Sequence, residues 1–241
     1  MQNDSQRFIQ TGVASNNLLR MKFNLTNTEL KAAEKSVYSQ KGQDGILEAI
    51  FNQLGIIKGS FVEFGARDGV DLSNTAHLRL NKGWRGLLMD TEPLSPIVEK
   101  EFITAHNINR ILSMYKVVEL DLVSVDVDGN DYYIFEAINL KPKVVVIEYN
   151  SKFRHDESYA IEHNPKHKWE GDDYYGASLL ALKKLGEEKG YTLVYVVAEL
   201  DAIFVRNDLL HDDYIPIPIE ELFPNPIIAH ETVSNKNWVK I

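Results

Sequence analysis

The chain has 241 residues, 44% of them hydrophobic and 25% charged, with a formal net charge of -9 and no cysteine. These values suit one globular domain able to bury a substantial core; they exclude disulfides, thiolate metal sites and cysteine nucleophiles, and the negative balance argues against a nucleic-acid duplex or an anionic membrane as main partner. No apolar run reaches the ~18 residues of a membrane span, and the polar start Met1, Gln2, Asn3, Asp4 does not read as a signal peptide, so a cytoplasmic location is the expectation.

Residues 1–35 are polar and Asn-rich and read as a loosely packed helical extension. Over 42–54 the apolar residues Ile46, Leu47, Ile50, Phe51 and Leu54 recur at helical spacing, which predicts an amphipathic helix lying on a sheet. Ser39, Gln40 and Asp44 at its start fit either the border of a ligand site or a helix cap and dipole partner. A first strand follows over 61–64, and Ser73 is the expected N-cap of a helix that Lys82 and Gly83 end. The second strand covers 86–90. Pro93 and Pro96 leave little room before a brief third strand over 101–104; a helix then spans 107–115 and a fourth strand 121–126. Residues 144–148 are β-branched and almost unbroken, as a central parallel strand should be. After a polar insertion over 151–175, a helix covers 177–189. Strands over 191–197 and 202–205 are joined so tightly that they read as antiparallel. Pro216, Pro218, Pro224 and Pro226 mark 211–241 as a tail wrapping the surface. The predicted fold class is α/β, a doubly wound Rossmann-like sheet over 36–210, mostly parallel, with an antiparallel hairpin at its C-terminal edge.

The stretch from Phe61 to Val70 is the most informative. An apolar strand runs into Gly65 and Gly69, with Glu63 and Asp68 beside them, and the second strand ends on Asp90 about 20 residues later. The glycines allow a sharp turn and a close main-chain approach, and Asp90, or Glu92 two residues on, can accept hydrogen bonds from ribose hydroxyls. A pyrophosphate wants G-x-G-x-x-G and no adjacent acids, so Glu63 and Asp68 disfavour it. S-adenosylmethionine, whose methionine end carries an ammonium and a sulfonium, suits these residues better.

The fourth strand runs into Asp126, Asp128 and Asp131, three carboxylates within six residues that are costly without something positive among them. The cofactor's ammonium, for which Asp126 is the candidate, or a divalent cation would serve. The fifth strand ends in Glu148 and Asn150 at the same sheet edge, so Asp126, Glu148 and Asn150 form a hard, all-oxygen set suited to Mg²⁺. The competing reading makes Asp128, Gly129 and Asn130 only a turn and a helix cap. The 151–175 insertion follows a strand end near the expected donor and reads as the acceptor lid. His163, His167, Trp169, Tyr174 and Tyr175, with Asn150, are its candidate substrate contacts. His155 is the leading candidate for the base that removes the acceptor proton, with Asp128 second.

Taken together, residues 38–45, 61–74, 107–109, 121–131, 144–150 and 175–179 resemble, in order, the FkbM-type S-adenosylmethionine-dependent methyltransferases, over roughly 38–208. The resemblance implies a class I methyltransferase fold and methyl transfer, usually to a hydroxyl of a sugar or small metabolite. The cation set also resembles that of metal-dependent catechol-type O-methyltransferases. The expected partner is a small-molecule or glycan acceptor, with no nucleic acid and no membrane; the oligomeric state stays open, a homodimer included. Two other readings compete. One is a nicotinamide-dependent sugar oxidoreductase, weighed against by the missing G-x-G-x-x-G and the acids around the loop. The other is a non-catalytic cofactor-binding module of the same fold.

Overall fold

The computed structural model describes residues 21–223 and 236–241. The expectations for residues 1–20 and 224–235 lie outside the described residues. Among the described residues nine strands form in chain order: β1 (Ser60–Phe64), β2 (Arg85–Asp90), β3 (Glu99–Lys100), β4 (Leu122–Val125), β5 (Val144–Glu148), β6 (Tyr159–Ile161), β7 (Tyr191–Val197), β8 (Asp201–Arg206) and β9 (Trp238–Lys240). Seven of them make one sheet in the order β3-β2-β1-β4-β5-β8-β7. The first five are parallel to one another, while β8 runs antiparallel to both β5 and β7. The order reverses between β1 and β4, the arrangement of a doubly wound sheet. The expected α/β class, mostly parallel with a C-terminal hairpin, is the one observed.

The helices are α1 (Asn27–Ala33), α2 (Gln43–Gln53), α3 (Ala76–Lys82), α4 (Ile108–Met114), α5 (Asp131–Ala137), α6 (Leu179–Lys189) and α7 (Ile219–Leu222). Side-chain alternation along the strands divides them between two cores. Val145 and Ile147 of β5 pack with α4, α5 and α6, whereas Val144 and Val146 pack on the opposite face with α1, α2 and α3. An unbroken β-branched run is the sequence that such two-sided burial requires.

Three local expectations change. The third strand lies at 99–100, not 101–104: Glu99 and Lys100 pair with Met89 and Asp90, and Phe102 is exposed. The helix after β1 starts at Ala76, but Ser73 still serves its first turn, its Oγ accepting from the Thr75 and Ala76 amides. The C-terminal segment is also more than a wrapping: Ile219, Leu222 and Phe223 enter the core, and β9 pairs antiparallel with β6 inside the insertion.

That pairing ties the insertion down. Trp238 packs edge-on against Phe153 and Tyr174, at 4.7 and 4.9 Å between ring centroids, and the Tyr174 hydroxyl donates to the Asn237 carbonyl. Lys236 pairs with Asp172. Each aromatic pair contributes about 0.5–1.5 kcal/mol beyond burial. Trp238→Ala is therefore expected to speed amide exchange at Tyr159, Ala160 and Ile161 roughly tenfold or more, leaving the seven-stranded sheet protected. Unchanged exchange there would show that the strap contributes nothing to the insertion's stability.

Candidate active site

Open α/β sheets bind ligands at the carboxyl ends of their strands, where the strand order reverses. Here that point lies between β1, which ends at Phe64, and β4, which ends at Val125. Gly65 follows β1 with φ of 78°, and a Cβ there would collide with the Asp126 carbonyl oxygen. The two main chains meet directly, as only glycine permits. The Gly65 and Ala66 amides both donate to the Met89 carbonyl, which binds this crook to β2.

The remaining donor-side residues divide into those that build the loop and those that face the crevice. Glu63, expected at the cofactor, is instead buried under the loop. Its Oε2 accepts from Ser73 Oγ at 2.7 Å and Thr75 Oγ1 at 2.5 Å, and its Oε1 accepts from the Asn74 amide at 2.8 Å. Burial pushes its carboxyl upward, and those three bonds act against the rise. Asp68 forms the turn, with Oδ1 accepting from the Val70 and Asp71 amides; these bonds hold its carboxyl below the usual range. Gly69 matters for packing: a Cβ there would stand 2.7 Å from Leu88 Cδ1. Asp90 joins the two loops, accepting from the Arg67 amide on Oδ2 and the Glu92 amide on Oδ1, both at 2.8 Å. Glu92 itself is exposed. Ser39 and Asp44 close the start of α2: Asp44 Oδ2 gathers the amides of Val37, Tyr38 and Ser39, and Ser39 Oγ accepts from the Asp44 amide.

Beyond Gly65, carboxylates accumulate. One oxygen each from Asp126, Asp131 and Glu148 lies within 4.8 Å of the others. Burial first, then Asp131, Asp201, Asp128 and Glu63, drives the Asp126 carboxyl well above the ordinary range. Burial, then Asp126, Asp131, Asp128 and Asp201, does the same to Glu148. Asp128, held at φ of 54° in the turn before α5, is raised by desolvation and then by Asp90, with His167 acting against the rise.

Asn150 does not join this group as expected. Its Nδ2 donates to the Asp173 and Tyr175 carbonyls and its Oδ1 accepts from the Lys152 amide, so the amide braces the insertion. A neutral amide facing three main-chain groups satisfies a loop better than a cation. Asp131 takes the third position, its two oxygens held by the Val127 and Gly129 amides at 2.8 Å.

The insertion residues also separate. His167 lies against Gly129, where a Cβ would strike its ring, and its Nε2 is buried without a partner; desolvation and then Lys236 lower its basicity. Asn130 Nδ2 donates to the Asn164 carbonyl, fastening the insertion over the same turn. Tyr175 stands near Glu148 and Asp126 and bonds to Ser151, its phenol pushed up chiefly by burial. His163 stacks on His106 and packs tilted against Tyr133, Trp169 is exposed with Nε1 donating to the Asp172 carbonyl, and the Tyr174 hydroxyl is taken up by Glu162 and Asn237. Those contacts make His163, Trp169 and Tyr174 builders of the insertion. His155 sits in the turn between β5 and β6 and is half-buried.

Sequence reasoning missed Asp201. It opens β8 opposite Glu148, is 1% exposed, and accepts on Oδ2 from Gln43 Nε2 at 2.6 Å and Asn74 Nδ2 at 3.4 Å, while Oδ1 is buried and unpartnered. The only signal was an acid in the tight link before a strand. Burial pushes this carboxyl from 3.8 to about 6. A raised folded-state value favours the neutral form, so its contribution is full below about pH 3.8 and is lost as pH rises through about 6. Asp201→Asn, keeping an oxygen for Gln43 and placing an amide among acids, is expected to flatten the urea-unfolding stability across that window. The effect is at most roughly 3 kcal/mol; a pH slope equal to wild type would show that Asp201 titrates normally.

No family model and no curated protein matches this chain significantly. Among solved structures, MycE methyltransferase from the mycinamycin biosynthetic pathway, in complex with Mg, SAH and mycinamycin VI, is 17% identical with a TM-score of 0.44, covering 70% of this chain and 50% of its own. The citrinin polyketide synthase CMeT domain is 14% identical with a TM-score of 0.36, covering 68% and 51%. The CurJ carbon methyltransferase is 13% identical with a TM-score of 0.37, covering 76% and 58%. This chain thus spans about half the length of the solved structures it matches. The strand order, rather than these likenesses, defines the fold.

Proposed function

We propose that this chain binds S-adenosylmethionine at the junction of β1, β2 and β4 and transfers its methyl group to a hydroxyl of a sugar, glycan or small metabolite. One observation carries the reading: the crook at Gly65 lies where the strand order reverses, and the groups around it are carboxylates, from Asp90 through Asp128 and Asp126 to Glu148. Such a crevice attracts a cationic donor and repels a phosphorylated one. In this reading Asp90 faces the ribose and Asp126 the ammonium.

Methyl transfer from a sulfonium needs alignment and a route for the hydroxyl proton. Asp128 and His167, which acts on its carboxyl from beside Gly129, are in this reading the groups that take it, with Tyr175 as a wall of the acceptor side and His155 as the alternative base. Calorimetry with SAH tests the reading. Micromolar binding, with none for NADH, is expected; heat from neither SAH nor S-adenosylmethionine would overturn it, and binding of NADH alone would support the oxidoreductase reading.

A further inference from the structure

Three negatively charged groups held within reach of one another in a poorly solvated site demand compensation by protons, by a basic side chain or by a bound cation. After burial, the charges that act most strongly on Asp126 and Glu148 are acidic: Asp126, Asp128, Asp131, Asp201 and, for Asp126, Glu63. Two further atoms point the same way. Glu148 Oε2 is buried without a hydrogen-bond partner, and so is Oδ1 of Asp201, which is 1% exposed and faces Glu148 across the β5–β8 ladder.

From this geometry we infer that Asp126, Asp131 and Glu148 form a site for one hard divalent cation of the Mg²⁺ or Mn²⁺ type. The donors are all carboxylate oxygens, which select such ions over softer ones. Their spread within 4.8 Å accommodates oxygens on opposite sides of an ion with bonds of about 2.1 Å, which stand about 4.2 Å apart. Asp131 is fixed in advance by the Val127 and Gly129 amides, leaving its other lone pairs for the ion. The ligands come from the end of β4, the start of α5 and the end of β5, so one ion would join three elements. Binding of the ion does not depend on the methyl-transfer reading. Its role does: at this place it would supply a Lewis acid beside the acceptor hydroxyl.

The test is Mn²⁺ titration of the EDTA-treated full chain, followed by electron paramagnetic resonance, with and without SAH. One ion per chain is expected in at least one condition. Asp126→Asn and Glu148→Gln should each weaken uptake at least tenfold, whereas Asp156→Asn, at an exposed carboxylate paired with Arg154, should retain it. Absence of uptake up to millimolar Mn²⁺ in both conditions overturns the site, as does undiminished uptake in both ligand variants. Should those variants fail to fold, thermal melting of the wild type decides: Mg²⁺ or Mn²⁺ should raise Tm, with no rise from Na⁺ or choline at equal ionic strength. Equal responses to all four overturn the site. Mn²⁺ uptake without SAH binding would sink the donor reading and leave the cation site standing; SAH binding without uptake would do the reverse.

Discussion

Gly65→Val is expected to abolish SAH binding and to destabilise the protein by at least ~3 kcal/mol. Two independent penalties act on the same atom. The backbone there has φ of 78°, a region that β-branched side chains avoid, and the added Cβ would collide with the Asp126 carbonyl. Relief requires β1 and β4 to part at their carboxyl ends, which is where the proposed donor lies. Gly65→Ala has the same clash with less bulk beyond it and should fall between the two. Urea unfolding and SAH calorimetry on both variants read the two effects separately. A valine variant within ~1 kcal/mol of wild type that still binds SAH would show that this backbone contact neither shapes the crevice nor holds the sheet.

The second large effect is expected at Glu63. Glu63→Ala strips an acceptor from two hydroxyls and one amide, those of Ser73, Thr75 and Asn74, all buried. Each buried group left unpaired costs about 1–3 kcal/mol, and the loss should total roughly 3–5 kcal/mol with the loop before α3 loosened. Glu63→Gln keeps one oxygen for the Asn74 amide and lets the hydroxyls reverse their role, so its penalty should be much smaller. It also changes the pH response. Burial raises the Glu63 carboxyl, so its ionisation opposes folding, and stability present at low pH is lost as pH rises through the folded-state value. The glutamine variant lacks that loss and should gain on wild type between acid and neutral pH. Urea midpoints at both ends of that range check it; an alanine variant as stable as the glutamine one would show that the three donors find other partners.

Where a feature depended on neighbouring residues, the chain announced it. The β-branched run of β5, the helical spacing of α2 and the two glycines after β1 are local patterns with direct structural consequences, and each lies where periodicity and turn chemistry put it. The carboxylates after β4 were visible as a cluster for the same reason. Features set by contacts between distant segments were not legible. Asp201 faces Glu148 only because β8, and not β7, lies beside β5, a choice that a hairpin's sequence does not reveal. Asn150 looked like a ligand because its side chain is polar at a strand end; that it is engaged by Asp173 and Tyr175, 23 and 25 residues later, follows from how the insertion folds back. Likewise no local pattern could pair Tyr159, Ala160 and Ile161 with Trp238, Val239 and Lys240.

The pairing of β6 with β9 bears on the order in which the molecule assembles. The β6 residues wait for a partner lying about eighty positions downstream, with Tyr159 opposite Lys240, whereas the ladder from β1 through β5 is complete well before that segment is made. Closing so long a loop is entropically slow, and contacts of this reach form late. The covering over the carboxylates should thus be the last part to gain protection on refolding and the first to surrender it on warming, leaving a sheet able to hold a small charged guest before its roof is finished.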